Sequence, residues 1–485
     1  MKKISIDPIT RLEGHGKIDL FLNDAGEVEN AYLAIPELRG FEKFCEGRKA
    51  EDMPQLTTRI CGVCPVAHHF AATKALDAAF HVEPPSAAKK LRELMYSGYY
   101  IYDHILHFYF LGGPDFIVGP DAPPAERNIL GVINKVGLDI GKQVIKYRAY
   151  GQKITAIIGG KATHPVCGLP GGISKPLSEE DRKDIENMAK ESVEFAQFSL
   201  QIFHDIVLKN EKYVDLITKG PYSHKTYYMG MVDKNNKINF YDGDVRVVYP
   251  NGREFSKFQP AQYLDQIEEH VEPWSYVKFP YLKKVGWHGF ADGSQSGVYR
   301  VGPLGRLNAS DGMATPLANE EYKQMYSTLG GKPVHNTLAF HWARLIELQY
   351  ATERALELSQ DPEITSKNVR NKVGEPGEGV GIVEAARGTL IHHYKLDRDA
   401  LVEKVNLIVA TTNNSAAINM SIRDAAKGLI KGGNVTEGLL NMVEMAFRAY
   451  DPCMGCATHF AVGQMPLEIN IYDENCNLLR TVKRA

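Results

Sequence analysis

Three things are scarce in this 485-residue chain: charge of one sign, long apolar runs and cysteine. Fifty-six Lys and Arg against 59 Asp and Glu leave a net charge of −3, so no global field invites nucleic acid or an anionic membrane. No apolar run approaches the ~20 residues that span a bilayer. The opening MKKISIDPITRLEGHG has no apolar core of the kind a secretory signal needs. These absences predict a cytoplasmic protein with no membrane span, or one exported only on a partner's signal. Seven cysteines, an odd number at low density, do not make a disulfide framework. Repeats and low-complexity segments are missing too, which removes solenoids and disordered linkers.

What remains is the composition of a globular enzyme, 44% hydrophobic and 24% charged. Residues 1–35 alternate as strands do. Helical spacing runs from Pro85 to about Phe110, from about 128 to 158, and from Ser178, a helix-capping residue, to about Lys209. Segment 211–335 is rich in Tyr, Gly and Pro and predicts a mixed insert of hairpins and loops. Helical spacing returns at 341–360, a hairpin follows over about 390–412, and two helices lead to Tyr450. Length alone allows two to four domains at ~100–200 residues each. The chemistry below requires the ends to meet, so one large domain over 1–485 is expected, with 460–485 as a separable tail.

Four of the cysteines form two C-x-x-C pairs, Cys61/Cys64 and Cys453/Cys456, near opposite ends of the chain. Thiolates are soft ligands suited to nickel, zinc, copper(I) or iron–sulfur clusters. Two pairs make a complete four-thiolate site if the fold joins them. Structural zinc is one reading, although zinc pairs usually lie within a short module, and here about 390 residues intervene. A catalytic metal and unrelated thiols are the others.

The flanking residues narrow this choice. RICGVCPVAHH and DPCMGCATH, with RLEGHG at the N-terminus, resemble the large, catalytic subunit of nickel–iron hydrogenases. RGFE at 39–42, YDHILHFY at 102–109, THP at 163–165, EAARGTLIHHY at 384–394 and VATTNN at 409–414 follow in that family's order. The related quinone-site subunits of respiratory complex I lack the four cysteines. The resemblance implies a mainly helical α+β fold, a central long-helix bundle with small peripheral sheets and hairpins. It also implies reversible, heterolytic cleavage of dihydrogen. Nickel would be held by Cys61, Cys64, Cys453 and Cys456. Cys64 and Cys456 would bridge to an iron carrying carbon monoxide and cyanide.

Further roles follow from the same resemblance. Arg387 would hydrogen-bond one cyanide and Thr411 the other. Asp103 lies in an apolar helical stretch, where an unpaired carboxylate is costly, and is expected to pair with Arg387. Asp451 would complete that cluster or cap the turn before Cys453. His68, four residues after Cys64, would donate to its sulfur. Cys453 is the expected first proton acceptor and Glu13 the next carrier, unless Glu13 merely pairs with Arg11 or His15. Glu42, the Leu407 carbonyl and His459 resemble the ligands of a buried magnesium, which prefers such an oxygen-rich shell. Ala386 and Ala410 stand where the family usually has proline.

Cys45, Cys167 and Cys476 cannot supply the four ligands of a typical iron–sulfur cluster, so electrons must leave through an obligate iron–sulfur partner subunit. Its interface is expected at the N-terminal and first C-x-x-C regions. The motif details resemble the cytoplasmic multisubunit branch (methyl-viologen-reducing, NAD-linked or electron-bifurcating types), which implies further flavin or iron–sulfur subunits. NAD, ferredoxin or a heterodisulfide would be reduced there. Nickel chaperones and a maturation protease are implied, the latter cutting between His459 and Phe460. GEPGEGVG at 374–381 resembles a nucleotide loop but follows no clear strand, and is read as a turn.

Overall fold

The computed structural model describes residues 2–459, 467–473 and 477–484. Lys2–Ile6 (β1), Lys17–Leu22 (β2) and Val28–Ala34 (β3) form an antiparallel sheet in that order. Ile18, Leu20 and Leu22 point inward from β2 and the residues between them outward, the alternation of a half-buried strand. Pro65–Ala79 (α1) starts at Cys64, with proline at the first helical position, where its missing N–H is not needed.

Ser86–Leu106 (α2), Leu138–Gly159 (α3), Glu179–Phe203 (α4) and Phe340–Gln360 (α5) build the central bundle. Helix α2 lies between α3 and α5, and α5 packs on α4. Helix α5 is buried on nearly every face, Trp342 included, as expected of a helix inside a large core. The Ser178 hydroxyl caps α4 by accepting the Asp181 N–H at 3.1 Å. The helix expected over 128–158 is two: Ile129–Val136 stops at Gly137, whose φ of 97° admits glycine readily.

The insert over 211–335 is more helical than its composition suggested. Glu211–Lys219, Gly302–Ala309 and Pro316–Thr328 are helices. Between them, Tyr227–Val232 (β4), Asp244–Val248 (β5), Glu254–Phe258 (β6) and Tyr299–Arg300 (β7) form a sheet in the order β7-β4-β5-β6. A third sheet, Glu378–Ala385 (β8), Gly388–Leu396 (β9) and Val402–Ile408 (β10), is antiparallel throughout. The turn expected at 374–381 therefore gives way to a strand at Glu378. Its glycines serve packing: a Cβ on Gly379 would sit 2.2 Å from the Ala75 carbonyl, and one on Gly381 2.2 Å from that of Ala71. Glycine lets β8 lie directly on α1.

Ser415–Leu429 (α6) and Glu437–Arg448 (α7) lead to the second cysteine turn. The ends meet there, with the Arg39 N–H on the Thr458 carbonyl at 2.7 Å and the Met454 N–H on the Glu13 carbonyl at 2.9 Å. Gly14, at φ 81°, passes so close to this turn that a Cβ would lie 2.8 Å from the Gly455 nitrogen. Beyond it, Leu467–Tyr472 pairs with Leu478–Arg484, while Phe460 and Cys476 fall outside the described residues. The fold is the mainly helical α+β architecture expected. Among the described residues, no helix is long and apolar enough to cross a membrane.

Candidate metal centre

Cys61 follows a short 3-10 turn, Thr57–Ile60, and Cys64 stands at the head of α1. Cys453 stands at the head of the four-residue helix Met454–Ala457 and Cys456 lies within it. The two pairs converge. Cys61 Sγ lies 3.3 Å from Cys453 Sγ, Cys64 Sγ lies 3.3 Å from Cys456 Sγ, and Cys453 and Cys456 are 2.8 Å apart. All four sulfurs fit within 4.8 Å of one another, each residue is buried, and none is in a disulfide.

Hydrogen bonds from Cys453 and Cys456 pull the Cys61 thiol well below its ordinary range, whereas burial pushes those of Cys453 and Cys456 up. One thiolate is therefore favoured at the expense of its neighbours. A bound cation removes that competition, because four buried thiolates need compensating charge. The donor set suits a soft transition metal. Cys45 and Cys167 lie elsewhere, Cys167 Sγ at 3.6 Å from Met95 Sδ.

Arg387, in the two-residue turn between β8 and β9, feels the charge of Cys453 and Cys64. Its guanidinium reaches Asp103 at 3.1 Å and Asp451 at 2.9 Å, so the expected triad is assembled. Burial raises the Asp451 carboxyl to about 7, against the pull of Arg387. Arg387 Nε and Asp103 Oδ1 are buried with no hydrogen-bond partner among the described residues. Buried polar atoms are rarely left so; a free guanidinium donor coupled to Cys453 and Cys64 fits an anionic ligand there. The Thr411 oxygen accepts the Cys453 N–H at 3.0 Å, leaving its own proton to donate.

Glu13 is not in a strand; a single bridge joins it to Cys453. Its carboxylate accepts from Cys453 Sγ and from the Gly455 N–H, both at 2.9 Å. Burial and the Cys61 thiolate raise its proton affinity. It does not pair with Arg11, which bonds Asp115 and the Leu111 carbonyl, nor with His15, which bonds Glu37. His68 Nε2 faces the sulfur of Cys456, at 3.7 Å, rather than that of Cys64. One turn of helix carries the ring past Cys64 to the opposite thiol.

The Glu42 carboxylate accepts the Leu407 N–H at 2.8 Å, His459 Nε2 lies 2.6 Å from the Leu407 carbonyl, and Glu42 and His459 are 3.9 Å apart. These three groups are thus together, and the carboxylate and carbonyl suit a hard cation. Glu269 and its partner Lys278, 3.1 Å apart, adjoin them electrostatically.

Sequence reasoning missed the scaffold around these groups. Arg39, in the RGFE segment, bonds the Ile60 carbonyl and, at 2.8 Å, the Gly455 carbonyl. One guanidinium thereby ties both cysteine turns together. Fully buried Arg306 pairs with Glu347 at 2.6 Å and Glu384 at 2.8 Å. It also donates to the carbonyls of Ala385 and Ala386, at 2.8 and 3.1 Å, fixing the turn that carries Arg387. The Ala386 N–H donates to the Tyr99 hydroxyl at 3.0 Å, a bond that proline at this position could not make. Glu384 lay in the quoted EAARG motif, whereas Arg306 gave no local signal.

Residues 39–128 and 142–459 match the family model for nickel-dependent hydrogenases, and residues 3–38 match a HoxL-like model. The chain belongs to the nickel-dependent hydrogenase family. It is accordingly a hydrogenase, an oxidoreductase acting on dihydrogen, with a cysteine cluster suited to a nickel–iron site. The chain is 50% identical over its full length, and the relative's full length, to an F420-non-reducing hydrogenase iron-sulfur subunit of Archaeoglobus profundus. It is 38% identical to the NAD-reducing hydrogenase HoxS subunit beta of Cupriavidus necator, covering 97% of each chain. A crystal structure of an NAD+-reducing [NiFe]-hydrogenase in the H2-reduced state superposes with a TM-score of 0.89 at 38% identity, covering 95% of this chain and 100% of that one.

Proposed function

We propose that this hydrogenase chain holds nickel on Cys61, Cys64, Cys453 and Cys456, with Cys64 and Cys456 shared with an iron that carries carbon monoxide and cyanide. The observation that carries this reading is the convergence of four buried thiols, within 4.8 Å, electrostatically coupled to an arginine with a free donor. When bound, the metal pair supplies the polarisation and electron transfer that heterolytic dihydrogen cleavage needs. The protein's own residues do the rest. Arg387 and Thr411 offer donors to the cyanides, and Asp103 and Asp451 hold the guanidinium in place. Cys453 Sγ takes the released proton and passes it to Glu13, 2.9 Å away, whose raised proton affinity suits a relay. Magnesium on Glu42, the Leu407 carbonyl and His459 would tie the N-terminal region to the second cysteine turn.

Electrons then pass to a partner subunit carrying iron–sulfur clusters, and onward to further flavin or iron–sulfur subunits, with NAD, ferredoxin or a heterodisulfide as the soluble acceptor in the cytoplasm. Both relatives are named as one subunit of a hydrogenase, which supports a multisubunit assembly. A maturation protease would cut after His459 once nickel is in place. Elemental analysis and infrared spectroscopy of the purified complex test the centre. Nickel with carbonyl and cyanide bands is the expected result; zinc without such bands would overturn it. An intact mass for the active chain that includes residues 460–485 would sink the cleavage proposal alone.

A further inference from the structure

We propose that Tyr394 and His392 are positioning residues, acting through His68 to aim an N–H at the sulfur of Cys456. The inference rests on the reading above, in which Cys456 is a metal-bound thiolate. His68 Nε2 lies 3.7 Å from Cys456 Sγ, His68 Nδ1 lies 3.1 Å from His392 Nε2, and His392 Nδ1 lies 2.7 Å from the Tyr394 hydroxyl. All three side chains are fully buried. His392 and Tyr394 are two apart on β9, so the strand's period of two sets them on one face, toward α1. The row ends at the buried Tyr394 hydroxyl, so it orients protons without delivering them to water.

Such a row has only two self-consistent directions. A neutral imidazole carries one N–H and one bare nitrogen, so fixing one bond fixes the next. A metal-bound thiolate has no proton to give. His68 must then donate from Nε2, and its bare Nδ1 must accept from His392 Nε2–H. His392 Nδ1 is left to accept from the Tyr394 O–H. The opposite direction would press a bare nitrogen against the sulfur. Tyr394 supplies the donor that selects the first arrangement. Without its hydroxyl, His392 is free to move its proton to Nδ1, and the N–H aimed at Cys456 loses its support.

A hydrogen bond to a ligating sulfur withdraws charge from it and thereby from the metal. Losing that bond makes the iron more electron-rich, which increases back-donation into carbon monoxide and lowers its stretching frequency. The test is infrared spectroscopy, with nickel content measured alongside, on the purified complex carrying wild-type chain, Tyr394→Phe, His392→Leu or His392→Gln. Expected are carbonyl bands shifted to lower wavenumber in Tyr394→Phe and His392→Leu at normal nickel content. His392→Gln, whose amide still donates toward His68, should stay near the wild-type position. Unshifted bands in nickel-loaded Tyr394→Phe would overturn the relay. So would equal positions for His392→Leu and His392→Gln, the comparison that decides if Tyr394→Phe fails to load. Absence of any carbonyl band in nickel-loaded wild type would instead overturn the proposed function.

Discussion

Cys64 stands at the head of a 15-residue helix, whereas Cys456 belongs to a helix of four residues. The first turn inherits its position from α1, which is braced by β8, β9 and its own buried histidines. The second has no long element beneath it. It is located by side chains from distant parts of the chain: Glu13 on the Gly455 N–H, Arg39 on the Gly455 carbonyl and Thr411 on the Cys453 N–H. The two halves of the thiol cluster are thus held by different physics, one by secondary structure and the other by converging hydrogen bonds. Substitutions near the second turn should act on geometry and proton transfer, and those near the first on the stability of a helix.

The ligands themselves should show no such asymmetry. Cys64→Ser and Cys456→Ser each replace a soft thiolate with a hard, usually protonated hydroxyl, so nickel and turnover should both vanish by elemental analysis and hydrogen uptake. Normal nickel in either would break the four-thiolate reading. Glu13→Gln keeps the bond to the Gly455 N–H but cannot relay a proton. Hydrogen/deuterium exchange should fall about a hundredfold or more while nickel content stays normal, and near-normal exchange would assign the proton another route.

Thr411→Val leaves the Cys453 N–H buried without an acceptor, at a cost of about 1–3 kcal/mol. The second turn should then load nickel less completely at limiting metal, a loss readable by titration, with little change in overall melting. The effect at the first turn is read in the pH dependence of stability rather than in metal loading. His69, on α1, donates from Nδ1 to the Pro54 carbonyl and accepts the Gly168 N–H at Nε2, both at 2.7 Å. Burial lowers its folded-state pKa to about 4 from 6.5. The unfolded chain therefore takes up the proton first, and stability falls as pH drops from about 6.5 to about 4. The full loss is about 3 kcal/mol. Melting temperatures of wild type and His69→Gln measured across that window should show a shallower pH dependence in the variant.

The four-thiol cluster was legible because such a donor set needs rare residues in fixed spacing, and the Arg387 pairing because an acidic side chain in an apolar helix, Asp103, demands a partner. The long helices were legible from periodicity. Gly137 was not recognised as a break, since a single glycine is tolerated inside many helices. The glycines of 374–381 were seen but their purpose was not, because close approach of β8 to α1 is a tertiary fact. Arg306, Glu347 and Glu384 lie up to 78 positions apart in sequence, and each alone reads as a surface charge; only burial in one place gives them meaning. His392 sat in a quoted motif, yet its bond to His68 spans 324 positions.

The distance between the paired cysteines, 392 positions in sequence for each cross-pair, sets an order of events during synthesis. On a ribosome the first turn emerges early, with its helix, and waits. The second emerges 392 residues later, and its contacts with Glu13 and Arg39 close one of the longest loops the molecule contains. A small zinc module folds because its metal binds; here the four thiols come together only through the folded body. On the proposed reading, the ion would meet its four thiolates only after the two distant turns have been brought together by the fold.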